Sequence, residues 1–166
     1  MKVYTFKQTQ FIPASLDDVW DFFSTPGNLR LITPPSVNFK TLLQTGGTSM
    51  YSGQLISYKL SPFPFLRVRW TSEIKNVVPR QYFVDEQKFG PFAMWYHQHF
   101  FREKDDGLPA GKAGTEMIDD VSYALPFGLL GRLVNSLLVE KQVRDIFKFR
   151  AEAVEKIFRK TTIQPV

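Results

Sequence analysis

Polar and apolar positions alternate along much of the first 124 residues, and the spacing then turns helical. Residues 2–12 alternate and are stopped by Pro13, which predicts a strand. Ser15 follows as a helix N-cap, with Asp18 three residues on in the place usually held by Glu or Gln. Leu16, Val19, Trp20 and Phe23 then recur at helical spacing, so 16–24 is expected to be a short amphipathic helix. Thr25-Pro26 repeats the start signal for a second short helix near 26–31, and Thr33-Pro34-Pro35 breaks it.

Six more strands are expected at 37–44, 50–60, 65–76, 80–87, 92–103 and 114–124. Their separators are Gly46-Gly47, Ser61-Pro62-Phe63-Pro64, Val78-Pro79, Gly90-Pro91 and the polar run 104–114. Within 65–76, Leu66, Val68, Trp70 and Ile74 alternate with Arg67, Arg69, Thr71 and Glu73, the pattern of an antiparallel strand with one wet face. Pro126-Phe127-Gly128 ends the last strand, and 129–160 contains no proline. There Leu133, Leu137, Val143, Phe147, Val154 and Ile157 fall on one broad helical stripe. A helix of that length needs a wide apolar surface to cover, and an antiparallel sheet supplies one. No repeat or linker interrupts the pattern, so 1–166 reads as a single α+β domain.

The hairpin over 83–101 carries the chemistry. Strand side chains alternate faces, so Phe83, Asp85 and Gln87 share a face on one strand, and Trp95, His97, His99 and Phe101 share one on the next. The chain's two histidines therefore stand side by side on a partly aromatic surface. If the run 104–114 joins its strands symmetrically about position 109, His99 faces Asp119 and His97 faces Val121. A slip of one pair would put Asp119 opposite His97 instead. Either register gives a carboxylate–imidazole pair on the face of Trp95 and Tyr123, and Asp85 is a candidate for the same face.

That pair has three readings. It can be a satisfied buried hydrogen bond, the polar end of a ligand pocket, or a general acid–base pair using His97, His99 and Asp119. Two histidines at i, i+2 with an aspartate offer three metal ligands, but no cysteine and no recognisable metal spacing accompanies them, so no metal or other cofactor is expected.

Composition narrows the picture. Aromatic residues make up 15% of the chain, with 16 Phe, which suits a packed globular domain and excludes disorder. Cysteine is absent, which excludes disulfides and is compatible with a reducing cytoplasm. There is no apolar run long enough to span a bilayer, so no stable membrane insertion is expected. Residues 129–160 hold eight basic side chains against four acidic ones, a local +4 within an overall +5; the mixing of signs suits a solvated helix face. Nucleic-acid binding is not expected, because cavity packing explains Tyr82 and Tyr96 more simply than a stacking platform does. No GxGxxG, GxxxxGK[ST] or GxSxG motif occurs.

The chain also resembles a known group. Thr25-Pro-Gly-Asn-Leu, Phe83-Val-Asp-Glu-Gln, Gly90-Pro-Phe, Trp95-Tyr-His-Gln-His-Phe, Gly114-Thr-Glu-Met-Ile-Asp-Asp-Val and Tyr123-Ala-Leu-Pro-Phe-Gly are similar to segments of the START-like polyketide cyclase/dehydrase and lipid-transport superfamily (SRPBCC). The likeness is to its small bacterial ligand-binding members and covers about residues 2–160. It implies a helix-grip fold, with an elongated apolar cavity between the sheet and a long C-terminal helix. On this reading the chain binds or carries a small, largely apolar ligand such as a lipid, an isoprenoid or an aromatic polyketide-like molecule. Its expected lining is Trp70, Phe83, Asp85, Trp95, His97, His99, Asp119, Tyr123, Phe127 and Phe147. The alternative is a cyclase- or dehydrase-type enzyme working through the His–Asp pair.

Overall fold

The computed structural model describes residues 1–63, 66–105 and 114–162. Strand β1 (Tyr4–Ile12) leads into helix α1 (Leu16–Phe23) and two 3₁₀ turns, Pro26–Ile32 and Pro35–Val37. Strands β2 (Lys40–Gln44), β3 (Leu55–Phe63), β4 (Leu66–Val78), β5 (Tyr82–Phe89), β6 (Met94–Lys104) and β7 (Gly114–Ala124) follow. The chain then forms α2 (Gly128–Val134), a π turn (Asn135–Val139) and α3 (Glu140–Thr162). All seven strands lie in one antiparallel sheet of order β1-β7-β6-β5-β4-β3-β2.

Local chemistry sets the ends of these elements. The Ser15 hydroxyl accepts from the Asp18 backbone N–H at 3.1 Å and donates to the Asp18 carboxylate at 2.6 Å, closing the first turn of α1. Val19, Trp20 and Phe23 are the buried face of that short helix. On α3 the apolar stripe holds as Val143, Phe147, Val154 and Phe158, all buried. Each such side chain contributes about 1.5–3 kcal/mol on burial, so α3 is fixed by packing. The cores at its two ends differ. One gathers Trp20, Phe23, Phe83 and Phe101 around Val154 and Phe158. The other places Val121 and Tyr123 against Val143 and Phe147. The space between them is open.

Several expected boundaries move. The strand expected at 50–60 begins at Leu55 and runs on to Phe63, because residues 51–54 form a turn closed by a Gln54 N–H to Tyr51 carbonyl bond of 3.1 Å. Pro62, expected as a breaker, sits where the β3–β4 register is irregular between Leu60 and Phe63, so no ladder bond needs its missing N–H. The strand expected from 37 starts at Lys40, after left-handed Asn38. Most of the expected connection at 104–114 lies outside the described residues.

The larger correction concerns the C-terminal helix. The chain is helical without a break from 128 to 162, as α2, the π turn and α3, but Leu133 and Leu137 do not face the sheet. Phe127 and Gly128 take left-handed backbone angles in succession (φ 68° and 51°) and swing the chain out before α2 begins. Gly131 is the face of α2 turned toward the protein; a Cβ there would lie 2.1 Å from the Pro126 carbonyl oxygen. The π turn then adds residues to one turn and resets the phase before α3. Leu133 and Leu137 consequently point to solvent, and only α3 crosses the concave face of the sheet.

Candidate functional site

Between the sheet and α3 lies a cavity of about 500 Å³, within the range of small-molecule sites. Its middle is aromatic. Trp70 on β4 and Trp95 on β6 meet edge to face at 5.1 Å, and Phe92 packs on both, at 5.4 and 5.0 Å. Phe92 is held there by the β5–β6 turn, where the Gln87 side-chain amide donates to the Phe92 carbonyl at 2.8 Å and accepts from its N–H at 3.3 Å. The Trp70 indole N–H donates to Ser72 Oγ at 3.0 Å, so its polar edge is satisfied away from the apolar space.

The polar groups collect on one wall. In the observed register His99 faces Asp119, His97 faces Val121, and across the other neighbour His97 faces Asp85; this is the symmetric pairing about position 109. His97 Nε2 donates to Asp119 Oδ1 at 2.9 Å, and His99 Nδ1 lies 3.0 Å from the same oxygen, out of line for a good hydrogen bond. The two imidazoles sit 3.8 Å apart, with Phe83 stacked on His99 at 4.3 Å and Phe147 beside His97 at 5.3 Å. From α3, Arg150 lays its guanidinium over the Phe147 ring at 4.8 Å and reaches to 4.0 Å from Asp119 Oδ1.

This crowding sets the charges. Burial, and then His99, push His97 down to about 3, more than the Asp119 contact pulls it up, so its ring is neutral at ordinary pH and carries its proton on Nε2. Burial alone would raise Asp119, but the hydrogen bond from His97 and the close approach of His99 outweigh it and hold the carboxyl below the usual range, ionised. Asp85 goes the other way: burial raises it, opposed by a hydrogen bond from Ser72 and by the positive side of His99 and Arg150. Tyr58 is likewise raised, by burial and then by Asp85, and stays a neutral O–H. Three polar atoms at this wall, Asp85 Oδ1, His99 Nδ1 and Arg150 Nε, are shut from solvent without a hydrogen-bond partner among the described residues.

Eight of the ten expected lining residues border the cavity: Trp70, Phe83, Asp85, Trp95, His97, His99, Phe127 and Phe147. Asp119 and Tyr123 do not. Asp119 is buried behind the histidines it anchors, and Tyr123 is buried among Tyr4, Phe92 and Trp95. Tyr58, Phe92 and Arg150 were not anticipated. Tyr58 alternates with Ile56 and Leu60 along β3, and Arg150 falls three residues after Phe147 on the apolar stripe of α3, so both stood in positions that periodicity marks as inward. His97, His99 and Asp119 also bring three ligand-type atoms within 4.8 Å of one another. A divalent ion there would have to displace the His97–Asp119 hydrogen bond and sit against Arg150, which makes the trio a poor resident-metal site.

Among the described residues no helix is long and apolar enough to cross a membrane. No curated protein sequence matches the chain. Solved structures match along nearly its whole length. Norcoclaurine synthase from Thalictrum flavum aligns with a TM-score of 0.66 at 16% identity, covering 97% of each chain. Ginseng major latex-like protein 151 from Panax ginseng gives 0.66 at 12% identity, over 94% of this chain and 97% of that one. A START superfamily protein from Mycobacterium smegmatis gives 0.63 at 12%, over 95% and 98%. Identities this low speak to the fold alone, which is the helix-grip arrangement of a curved antiparallel sheet around a C-terminal helix. The family model for polyketide cyclase / dehydrase and lipid transport matches residues 12–148, a stretch that contains the aromatic cavity wall and the His97–His99–Asp119 cluster, and the chain belongs to that family.

Proposed function

We propose that the protein binds and carries a small, largely apolar ligand, such as a lipid, an isoprenoid or an aromatic polyketide-like molecule, as one binding unit working in the cytoplasm. The observation that carries this reading is the division of the cavity: aromatic and aliphatic walls over most of its surface, with Tyr58, Asp85, His97, His99 and Arg150 gathered at one side. Apolar walls supply affinity, and a few convergent polar groups orient one end of the ligand. Asp85 Oδ1, His99 Nδ1 and Arg150 Nε have hydrogen-bonding capacity to spare there.

The catalytic alternative draws on the His97–Asp119 pair, whose geometry suits an oriented base. The charge state works against it. A base is most effective when its pKa lies near the working pH, and a ring pushed down to about 3 binds a proton too weakly to remove one from a carbon acid near neutrality. A carrier needs only the wall.

Native mass spectrometry of the protein from its own host, with extraction of what co-purifies, reads the ligand directly. A second measurement titrates the uncharged probe N-phenyl-1-naphthylamine against the parent and against Ile146→Trp, which puts an indole into the cavity. We expect an apolar molecule to co-purify and the substitution to weaken probe binding at least about tenfold. Equal probe affinity for both proteins, with nothing apolar extracted, would overturn the reading.

A further inference from the structure

We propose that the outward face of α2 and the π turn is a docking surface for an anionic lipid bilayer, and that the cavity opens into that bilayer. Phe127, Leu129, Leu130, Leu133, Leu137 and Leu138 are each 53–80% exposed. Six large apolar side chains this open, within twelve consecutive residues, form a continuous patch; single exposed apolar residues are ordinary, but a patch is not. It is also the rim of the cavity. Phe127 and Leu130, together with Val134, are exposed and line the cavity at once, and so does Leu66 from β4.

Two features select a bilayer as the occupant. The first is continuity: a second copy or another folded protein seated on Phe127 and Leu130 would stopper the cavity, whereas hydrocarbon chains extend the same apolar medium into it. An apolar cargo could then enter without crossing water; this part rests on the ligand-binding reading. The second is charge. From 125 to 139 the one charged residue is Arg132, and there is no acid. Arg132 and Lys2, both exposed, border a groove that also contains Met1 and Leu129. Farther along, Lys141 and Arg144 are each paired with an acid one turn away, at 2.5 Å to Asp145 and 2.9 Å to Glu140, so of the basic residues near this end of the helix it is Arg132 and Lys2 that stand beside the apolar patch without an acid partner among the described residues. Apolar side chains flanked by basic ones are the pattern of reversible binding at an anionic membrane surface.

Flotation of the full chain with vesicles tests this, using phosphatidylcholine alone and phosphatidylcholine mixed with phosphatidylglycerol. We expect at least about tenfold tighter binding to the phosphatidylglycerol vesicles, weakening as salt rises from about 0.1 to about 1 M. The double substitution Leu129→Glu/Leu137→Glu should lower vesicle affinity at least about tenfold. Neither residue borders the cavity, so N-phenyl-1-naphthylamine should bind the double variant as it binds the parent. Arg132→Glu should remove the preference for phosphatidylglycerol. Absence of binding to either vesicle overturns the proposal, as does a double variant that floats like the parent. It also falls if the parent is a dimer that the double variant dissolves, which would assign the patch to a second copy. Vesicle binding without probe binding would overturn the carrier reading and leave the docking surface standing.

Discussion

Replacing His97 by glutamine removes one titrating ring while leaving an amide N–H that can still reach Asp119. An unfolded imidazole titrates near 6.5, and in the folded protein burial and His99 push His97 down to about 3. Because the folded value lies below the unfolded one, the unfolded chain takes up the proton first as pH falls. His97's contribution to stability is therefore whole above about pH 6.5 and drains away toward pH 3. At about 1.4 kcal/mol per pH unit, the full interval amounts to about 5 kcal/mol, and the part between pH 6.5 and 4 to about 3 kcal/mol. A domain with roughly 5–15 kcal/mol of total stability would feel that strongly. Neighbouring groups do not imitate the effect. Asp119, held low, loses its share only below about pH 3.9, its unfolded value. Asp85, raised by burial, works in the opposite direction, because its folded form gains as pH falls. Urea unfolding followed by circular dichroism from about pH 7 to about pH 4 should show the parent losing about 3 kcal/mol more than His97→Gln. Parallel curves for the two proteins would refute the assignment of a buried, neutral His97.

Asp119→Asn keeps the shape behind the histidines and removes the charge; affinity for N-phenyl-1-naphthylamine should stay within about tenfold, or about 1.4 kcal/mol, of the parent in a fluorescence titration. Phe147→Ala deletes the ring that packs on Phe6 at 4.7 Å and on His97 at 5.3 Å, and should cost about 3–5 kcal/mol in urea unfolding. A loss under about 1 kcal/mol would mean that α3 is not held by that contact. Gly131→Ala drives a methyl into the Pro126 carbonyl and should lower stability by about 1–3 kcal/mol, an effect that calorimetry reads as a lower Tm.

The sheet was legible in the sequence because its rules are local. Period-2 alternation put Phe83 with Asp85 on one strand and His97 with His99 on the next, and of the two registers open for Asp119 the symmetric one, with His99 opposite it, is the one that forms. The capped start of α1 was equally plain, since the Ser15 and Asp18 side chains close it within one turn of chain. What escaped depends on groups far apart in the chain. Arg150 reads as a polar interruption of a helical stripe until β7 brings Asp119 to 4.0 Å from it. Leu133 and Leu137 fit the stripe by spacing, and only the two left-handed residues at 127 and 128 and the π turn decide that they face water. Pro62 reads as a breaker because the irregular register that tolerates it arises from the partner strand.

The sheet order carries a consequence for synthesis. β1 is made before the other six strands, yet its hydrogen-bonded partner in the sheet is β7, with Tyr4 opposite Tyr123 and Ile12 opposite Thr115. On a ribosome adding roughly 5–20 residues per second, β1 waits on the order of ten seconds for a partner. The remaining strands pair with sequence neighbours and can assemble as they emerge, so sheet closure is the slow, long-range step. Pulsed hydrogen exchange during refolding should find the β1 amides protected last; early protection there would show that the first and last strands meet before the meander between them has formed. Until that meeting β1 is an unpaired edge, and Lys7, Gln8 and Gln10 along it keep the waiting strand polar enough to discourage pairing with another chain.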